Sequence, residues 1–238
     1  MTKIFALDGI GNIKLTKNSR YKNLKITVRP LQGVRVLIPP PVSFEEAEKF
    51  VHTKKEWIKR TIARIQHIEH NYTRFNENST FQTREHRLRL LKHSKNTIQI
   101  IIKSRIIHVF YPDYADISDI RIQKSIRKAI TEAWRIEAKT FLPVRVKELA
   151  AKFGFKYGTV NIKNAGTRWG SCSPVNNINL NVQLMRLPWH LTDYVILHEL
   201  VHTVQKNHGK NFWALLEKVT GNARGLDRQL KKYNLNIW

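Results

Sequence analysis

Three observations predict an α+β chain. Apolar and polar residues alternate from Leu24 to Ile38, and apolar residues recur at helical spacing from about residue 118. A further helical pattern near the C-terminus carries His198-Glu199-Leu200-Val201-His202. The first observation places a basic, β-rich part at residues 1–115 and the other two a largely helical region at 116–238, although no flexible linker marks the division.

The elements follow in order. Leu24, Ile26 and Val28 alternate with Lys25, Thr27 and Arg29; Gln32-Gly33 turns the chain, and Val34, Val36 and Ile38 resume the period of two. Pro39-Pro40-Pro41 ends that strand, because proline cannot donate to a ladder. Ser43 with Glu46 and Thr53 with Glu56 have capping-box spacing, which predicts helices at 44–52 and 54–70. Phe44, Ala47, Phe50 and Val51 form the apolar stripe of the first; Trp57, Ile58, Ile62 and Ile65 form that of the second.

A polar stretch at 71–80 reads as a loop, followed by strand candidates at 86–91, 97–103 and 105–111. Around Ser104 the last two are joined by one or two residues, or else form one long bent strand. A long helix begins near Ser118 and Asp119 with Ile122, Ile126, Ile130, Ala133 and Trp134 on one face. Pro143 is expected to kink or restart it before it ends near Gly154. Strands at 158–163 and 178–182 flank a loop at 166–174. Helices at 188–205, 211–219 and 223–233 complete the chain, with Gly221 as a stop signal.

Composition narrows the class. A chain of 238 residues, 42% hydrophobic, with six tryptophans can bury a core and is not a disordered polymer. The single cysteine, Cys172, excludes an intramolecular disulfide and suits a reducing compartment. No signal-peptide run or membrane-length apolar segment is visible, so a cytoplasmic protein without a membrane partner is expected. The formal net charge of +24 attracts polyanions, nucleic acid first among them.

The chemistry sits in one helix. His198 and His202 lie one turn apart on one face and can hold a single Zn²⁺, while Glu199 is placed to deprotonate water. Tyr194 to Leu197 and Leu200, Val201 and Val204 make that helix apolar on most sides, and buried polar groups there need partners. A catalytic zinc site takes three protein ligands and leaves one position open. His208 is the best third ligand: it stands ten residues after His198, as in the metzincin pattern, although Gln205 replaces that pattern's glycine. Glu217 and His190 are the alternatives.

The run Thr167-Arg168-Trp169-Gly170-Ser171-Cys172-Ser173, then Ile178-Asn179-Leu180-Asn181, then Asp193 to His202, His208 and Phe212-Trp213 resembles the YgjP-like metallopeptidase family. That family is grouped with the zincins and is similar to SprT-like and WLM-type DNA-associated proteases. The likeness is strong over 165–215 and looser over the N-terminal strands, the triple proline and Lys55-Glu56-Trp57-Ile58. It implies a zincin-like C-terminal fold, zinc on His198, His202 and His208, Glu199 as catalytic base, and a protein or peptide substrate. Many members carry alanine where Val201 stands, a change that leaves the chemistry intact.

Further roles are expected around this centre. Arg168 is a candidate donor to the developing oxyanion, or else forms a structural ion pair. Strand 178–182, with Asn179 and Asn181 on one face, is expected to be an edge strand that pairs with an extended substrate. Trp169 and Ser171 are candidate cleft residues; Cys172 reads as a small buried thiol. Lys54, Lys55, Lys59 and Arg60 are candidate phosphate contacts, as are basic clusters at 14–25, 84–92 and 121–128, for non-specific nucleic-acid binding. Two other readings stay open: a nucleoside triphosphate pyrophosphatase using the same metal, and a nucleic-acid-binding protein with structural zinc. Oligomeric state is not legible.

Overall fold

A computed structural model describes the backbone at residues 1–29, 33–70 and 73–235, and side chains there except at 29 and 65–70. The architecture is α+β, with a β-rich N-terminal part and helices concentrated toward the C-terminus. The chain divides into two compact units, Met1–Thr73 and Arg74–Asn236.

In the first unit β1 (Thr2–Leu7) and β2 (Gly11–Lys17) form an antiparallel pair, β4 (Gly33–Ile38) runs parallel to β2, and β3 (Lys25–Arg29) closes antiparallel on β4. Alternation puts Ile13, Leu15, Val34, Val36 and Ile38 on one face. There they meet Ala47 and Val51 of α1 (Phe44–Thr53) and Ile58 of α2 (Lys55–His70), all buried. The Ser43 capping box forms: Glu46 N–H donates to Ser43 Oγ at 3.1 Å and Ser43 N–H donates to Glu46 Oε2 at 2.7 Å. The second expected box does not form. Thr53 is already the last residue of α1, and its hydroxyl donates to the Phe50 carbonyl at 2.8 Å. Trp57, expected on the apolar stripe, is 45% exposed, because α2 turns Ile58 and Ile62 toward the sheet instead. The Ile65 side chain lies outside the described residues.

The second unit opens with β5 (Arg87–His93), β6 (Gln99–Lys103) and β7 (Ile106–Pro112) in the order β5-β7-β6. Ser104 and Arg105 have φ of 51° and 61°, so two residues make a tight hairpin and the long bent strand is excluded. The 34-residue α3 (Ile120–Phe153) packs on this sheet through the predicted face, with Ile122, Ile126, Ile130, Ala133 and Trp134 buried. Asp119 caps it by accepting from Arg121 N–H at 2.7 Å, and Gly154 ends it at φ 74°, where a side chain would be strained. Pro143 does not restart it; the helix runs through.

Next come β8 (Val160–Lys163), β9 (Gly170–Cys172) and β10 (Ile178–Asn181), ordered β8-β10-β9. The expected loop at 166–174 therefore contains a strand. A 3₁₀ turn at Val182–Arg186 leads to α4 (Trp189–Val201), α5 (Lys210–Thr220) and α6 (Ala223–Leu230). The helix α4 packs on α3, α5, α6 and the β9–β10 pair, which is why it is apolar almost all round. Arg145 of α3 grips Asp193 of α4 through two hydrogen bonds, 2.8 and 2.7 Å. Among the described residues no helix is long and apolar enough to cross a membrane.

Candidate metal centre

Helical geometry brings His198 and His202 together, and the end of α4 supplies the third imidazole. Past Val201 the chain tightens, with Thr203 N–H on Leu200 and Val204 N–H on Val201, each at 3.0 Å. Residues 203–209 then fold back, and His208 arrives opposite the other two. Its Nε2 lies 3.0 Å from His198 Nε2 and 3.2 Å from His202 Nε2. One potential ligand atom from each of the three falls within 4.8 Å of the others.

The ring of Phe212, fully buried on α5, forms the floor. Its centroid is 4.9 Å from His198, 4.5 Å from His202 and 4.6 Å from His208, so one apolar side chain sets the height of all three rings. His202 Nδ1 lies 3.0 Å from the Gln205 carbonyl. A carbonyl only accepts, so Nδ1 carries the hydrogen and Nε2 presents its lone pair to the centre. Burial, with the neighbouring imidazoles adding to it, pushes His198 down to about 4; burial also lowers His202. Neutral imidazoles are the form that binds metal. Among the described residues these three nitrogen donors form a group that could hold a metal ion, with no fourth His, Cys, Asp or Glu in it. Glu217 and His190 are elsewhere. Glu217 accepts from Ala223 N–H at 2.8 Å, and His190 Nε2 meets Gln229 Oε1 at 3.0 Å.

Glu199 is 5% exposed, and among the described residues no hydrogen bond reaches its carboxylate. Burial pushes it up to about 8, with the charge of Arg168 opposing. Its side chain lies on Gly170 of β9: a Cβ there would stand 2.7 Å from Glu199 Oε1 and 2.8 Å from Cγ. Only glycine admits the acid at this spot. Gly170 was quoted in the sequence motif, but its reason, a helix side chain resting on a strand backbone, had no sequence signal.

The other expected residues separate. Strand β10 is the middle strand, paired parallel with β8 and antiparallel with β9, so the expectation that it is an open edge is corrected. Among the described residues the edge strand that packs on α4 is β9. Asn181, expected to face substrate, is 2% exposed: its amide donates to the Ala165 and Arg168 carbonyls at 2.6 and 2.9 Å, and its Oδ1 accepts from Gln183 N–H at 3.0 Å. It holds the loop that carries Arg168. Asn179 donates to Ser171 Oγ at 3.4 Å. Both line a cleft of about 430 Å³ with Lys163, Arg168, Trp169 and Gly170. Cys172 is half-buried, and burial pushes its thiol up, away from a nucleophile's range.

The basic clusters are partly committed to structure. Lys55 pairs with Asp8 at 3.8 Å, Lys59 with Glu56 at 3.3 Å, and Arg60 Nε donates to the Glu56 carbonyl at 3.4 Å. Arg84, expected on a basic strand, instead donates to the Met185 and Leu187 carbonyls at 3.0 and 2.6 Å and covers the Trp189 ring at 3.5 Å. Lys54 lines a groove of about 340 Å³ with Lys25 and the exposed Trp57.

The family comparison agrees with a metal-binding centre. The family model described as YgjP-like, metallopeptidase domain, matches residues 22–233. The metallopeptidase zymogen of Pyrococcus abyssi abylysin is 23% identical, over 41% of this chain and 100% of its own, with a TM-score of 0.36. That of Methanocaldococcus jannaschii jannalysin is also 23% identical, over 38% and 93%, with a TM-score of 0.34. No curated protein gives a significant match.

Proposed function

This chain belongs to the YgjP-like metallopeptidase family, and from that premise we propose that it hydrolyses peptide bonds with zinc held by His198, His202 and His208 and with Glu199 as general base. The observation that carries the reading is the convergence of three imidazole Nε2 atoms above Phe212, with a buried glutamate one residue from the first ligand. Bound there, zinc would supply Lewis acidity that activates water near neutral pH.

The chain's own groups supply the rest. Burial raises the Glu199 carboxyl in the metal-free chain, and a cation held by the three histidines would favour the ionised form that accepts a proton. Glu199 takes a proton from the attacking water as the carbon–oxygen bond forms. It returns that proton to the amide nitrogen as the carbon–nitrogen bond breaks. Gly170, lacking a side chain, lets the carboxylate lie against the β9 backbone. The guanidinium of Arg168 offers donors to the developing oxyanion. The edge of β9 offers backbone groups to an extended substrate, the part first expected of β10.

Trp57 flanked by Lys25 and Lys54 supports non-specific nucleic-acid association through the first unit. It predicts salt-sensitive binding of a single strand that Lys54→Glu weakens; a flat salt response would remove it.

The decisive experiment compares wild type with Glu199→Gln for bound zinc and for cleavage of an unfolded protein. Zinc should stay in both, and cleavage should fall by about 10²–10⁴-fold in the variant. Equal turnover would remove Glu199 as the base.

A further inference from the structure

Residues 203–209, between α4 and α5, form no helix or strand of their own and leave His208 exposed. Most of what holds them is local. Thr203, Val204 and Gln205 donate backbone N–H groups to the Leu200 and Val201 carbonyls, and the Gly209 carbonyl accepts from Trp213 N–H. Among the described residues, the hydrogen bonds from this segment to anything outside 198–213 all come from Lys206. Its Nζ donates to the Ser173 carbonyl at 3.2 Å and to the side-chain oxygen of Asn176.

The two acceptors are themselves held. Ser173 directly follows β9, and the turn at 173–177 joins β9 to β10. Asn176 N–H donates back to the Ser173 carbonyl at 3.0 Å, and Ser173 N–H donates to the Asn177 carbonyl at 2.9 Å. Asn177 N–H reaches Ser173 Oγ at 3.0 Å. Asn176 has φ of 61°, a left-handed position that asparagine enters more easily than most residues. This is the same hairpin whose Gly170 lies against Glu199. Lys206 therefore ties the strand pair that supports the acid to the segment that carries the third imidazole.

The ammonium has two opposed effects on the centre. It stands near enough to His202 to lower that imidazole, and a positive charge close to a metal ion repels it. Its hydrogen bonds act the other way, because a segment already fixed gives up less freedom when its side chain binds a ligand.

We propose that Lys206 is a positioning residue for the metal centre, clasping the β9–β10 turn so that His208 is held in ligating range before a metal arrives. This rests on the zinc reading above and adds to it a residue outside the ligand set.

The test uses full-length Lys206→Met, Asn176→Gly and the double variant. Glycine adopts the left-handed φ freely, so Asn176→Gly removes the side-chain acceptor and keeps the turn. The first measurement is of backbone amide order parameters by NMR relaxation in metal-free protein. Lys206→Met should lower them at Asn207 and His208 and leave residues 190–201 at wild-type values. The second is the zinc dissociation constant by competition with a chelator. Lys206→Met should weaken zinc about tenfold, the size of one lost charge-assisted hydrogen bond. Asn176→Gly should weaken it less, since the Ser173 carbonyl still accepts, and the double variant should be no weaker than Lys206→Met.

Order parameters at 207–208 that Lys206→Met leaves unchanged overturn the clasp. So does zinc affinity within about twofold of wild type in that variant, or a tighter one, which would show that the lysine acts through its charge. Losses that multiply in the double variant would separate Lys206 from Asn176 and overturn it as well. If wild type binds no zinc, the peptidase reading falls, and the order parameters alone decide the clasp.

Discussion

Two histidine–glutamate clusters lie in the second unit, one buried around Glu137 and one reaching the surface at His208, and they differ in where their polar atoms point. Around Glu137, which is 1% exposed, the acid gathers its neighbours: His86 Nδ1 lies 2.8 Å from Oε1, Glu85 N–H donates to it at 3.0 Å, and the Thr83 hydroxyl donates to it as well. Around Phe212 the arrangement is the reverse. His208 Nε2 lies 3.0 Å from His198 Nε2 and 3.2 Å from His202 Nε2, and Glu199 accepts from none of them. The first cluster gathers three partners on Glu137 Oε1, leaves the buried Oε2 without one among the described residues, and fastens the start of the β5 region to α3. The second gathers three ring nitrogens that could hold a cation together.

Removing one ligand should break the comparison most sharply. His198→Ala should abolish stoichiometric zinc, read by metal analysis, and cut turnover by about 10³-fold or more. If His86→Ala lost zinc equally, the two clusters would not be separate. Phe212→Ala comes next, at about 3–5 kcal/mol in denaturant unfolding, with weaker zinc retention because the three rings lose their floor.

Proton uptake sharpens the contrast from another side. Glu199 rises to about 8 in the folded chain, so the unfolded chain loses that proton first and stability of metal-free protein falls as pH climbs from about 4.5 to 8. Glu199→Gln removes the loss, and its advantage over wild type should reach about 3 kcal/mol by pH 7. Thermal unfolding of both metal-free proteins at pH 5 and 7 measures it. An advantage that stays constant across that range would deny the acid its unpaired, buried state. The smallest effect is expected for Glu137→Gln. Trading the carboxylate for an amide should cost about 1–3 kcal/mol of stability while zinc content and turnover stay at wild-type values.

Much of this was legible because it is local. The period-two runs at 25–29 and 33–38, the Ser43–Glu46 box, the face of α3 and the stop at Gly154 each depend on neighbours a few residues away, and each appears in the structure, while the turn expected at Gln32 lies outside the described residues. The same holds for His198 and His202, whose registry is one turn of helix. The misses share the opposite property. Thr53 met a helix that ended one residue later than its box required; Trp57 pointed outward because the sheet chose Ile58; Arg84 was drawn to carbonyls a hundred residues away. The three-residue β9 was too short to show a period, and its pairing made β10 a central strand.

By itself the sequence determined the donor types, the helix that presents two of them and the acid beside the first, since these follow from residue chemistry and a 3.6-residue turn. Tertiary structure alone decided that His208 rather than Glu217 or His190 completes the triad, that Phe212 supports all three rings, and that Gly170 makes room for Glu199. It also set Lys163 beside Arg168 in one cleft. Those outcomes join residues from different elements, and pairing and close packing between elements are settled only when the whole core closes.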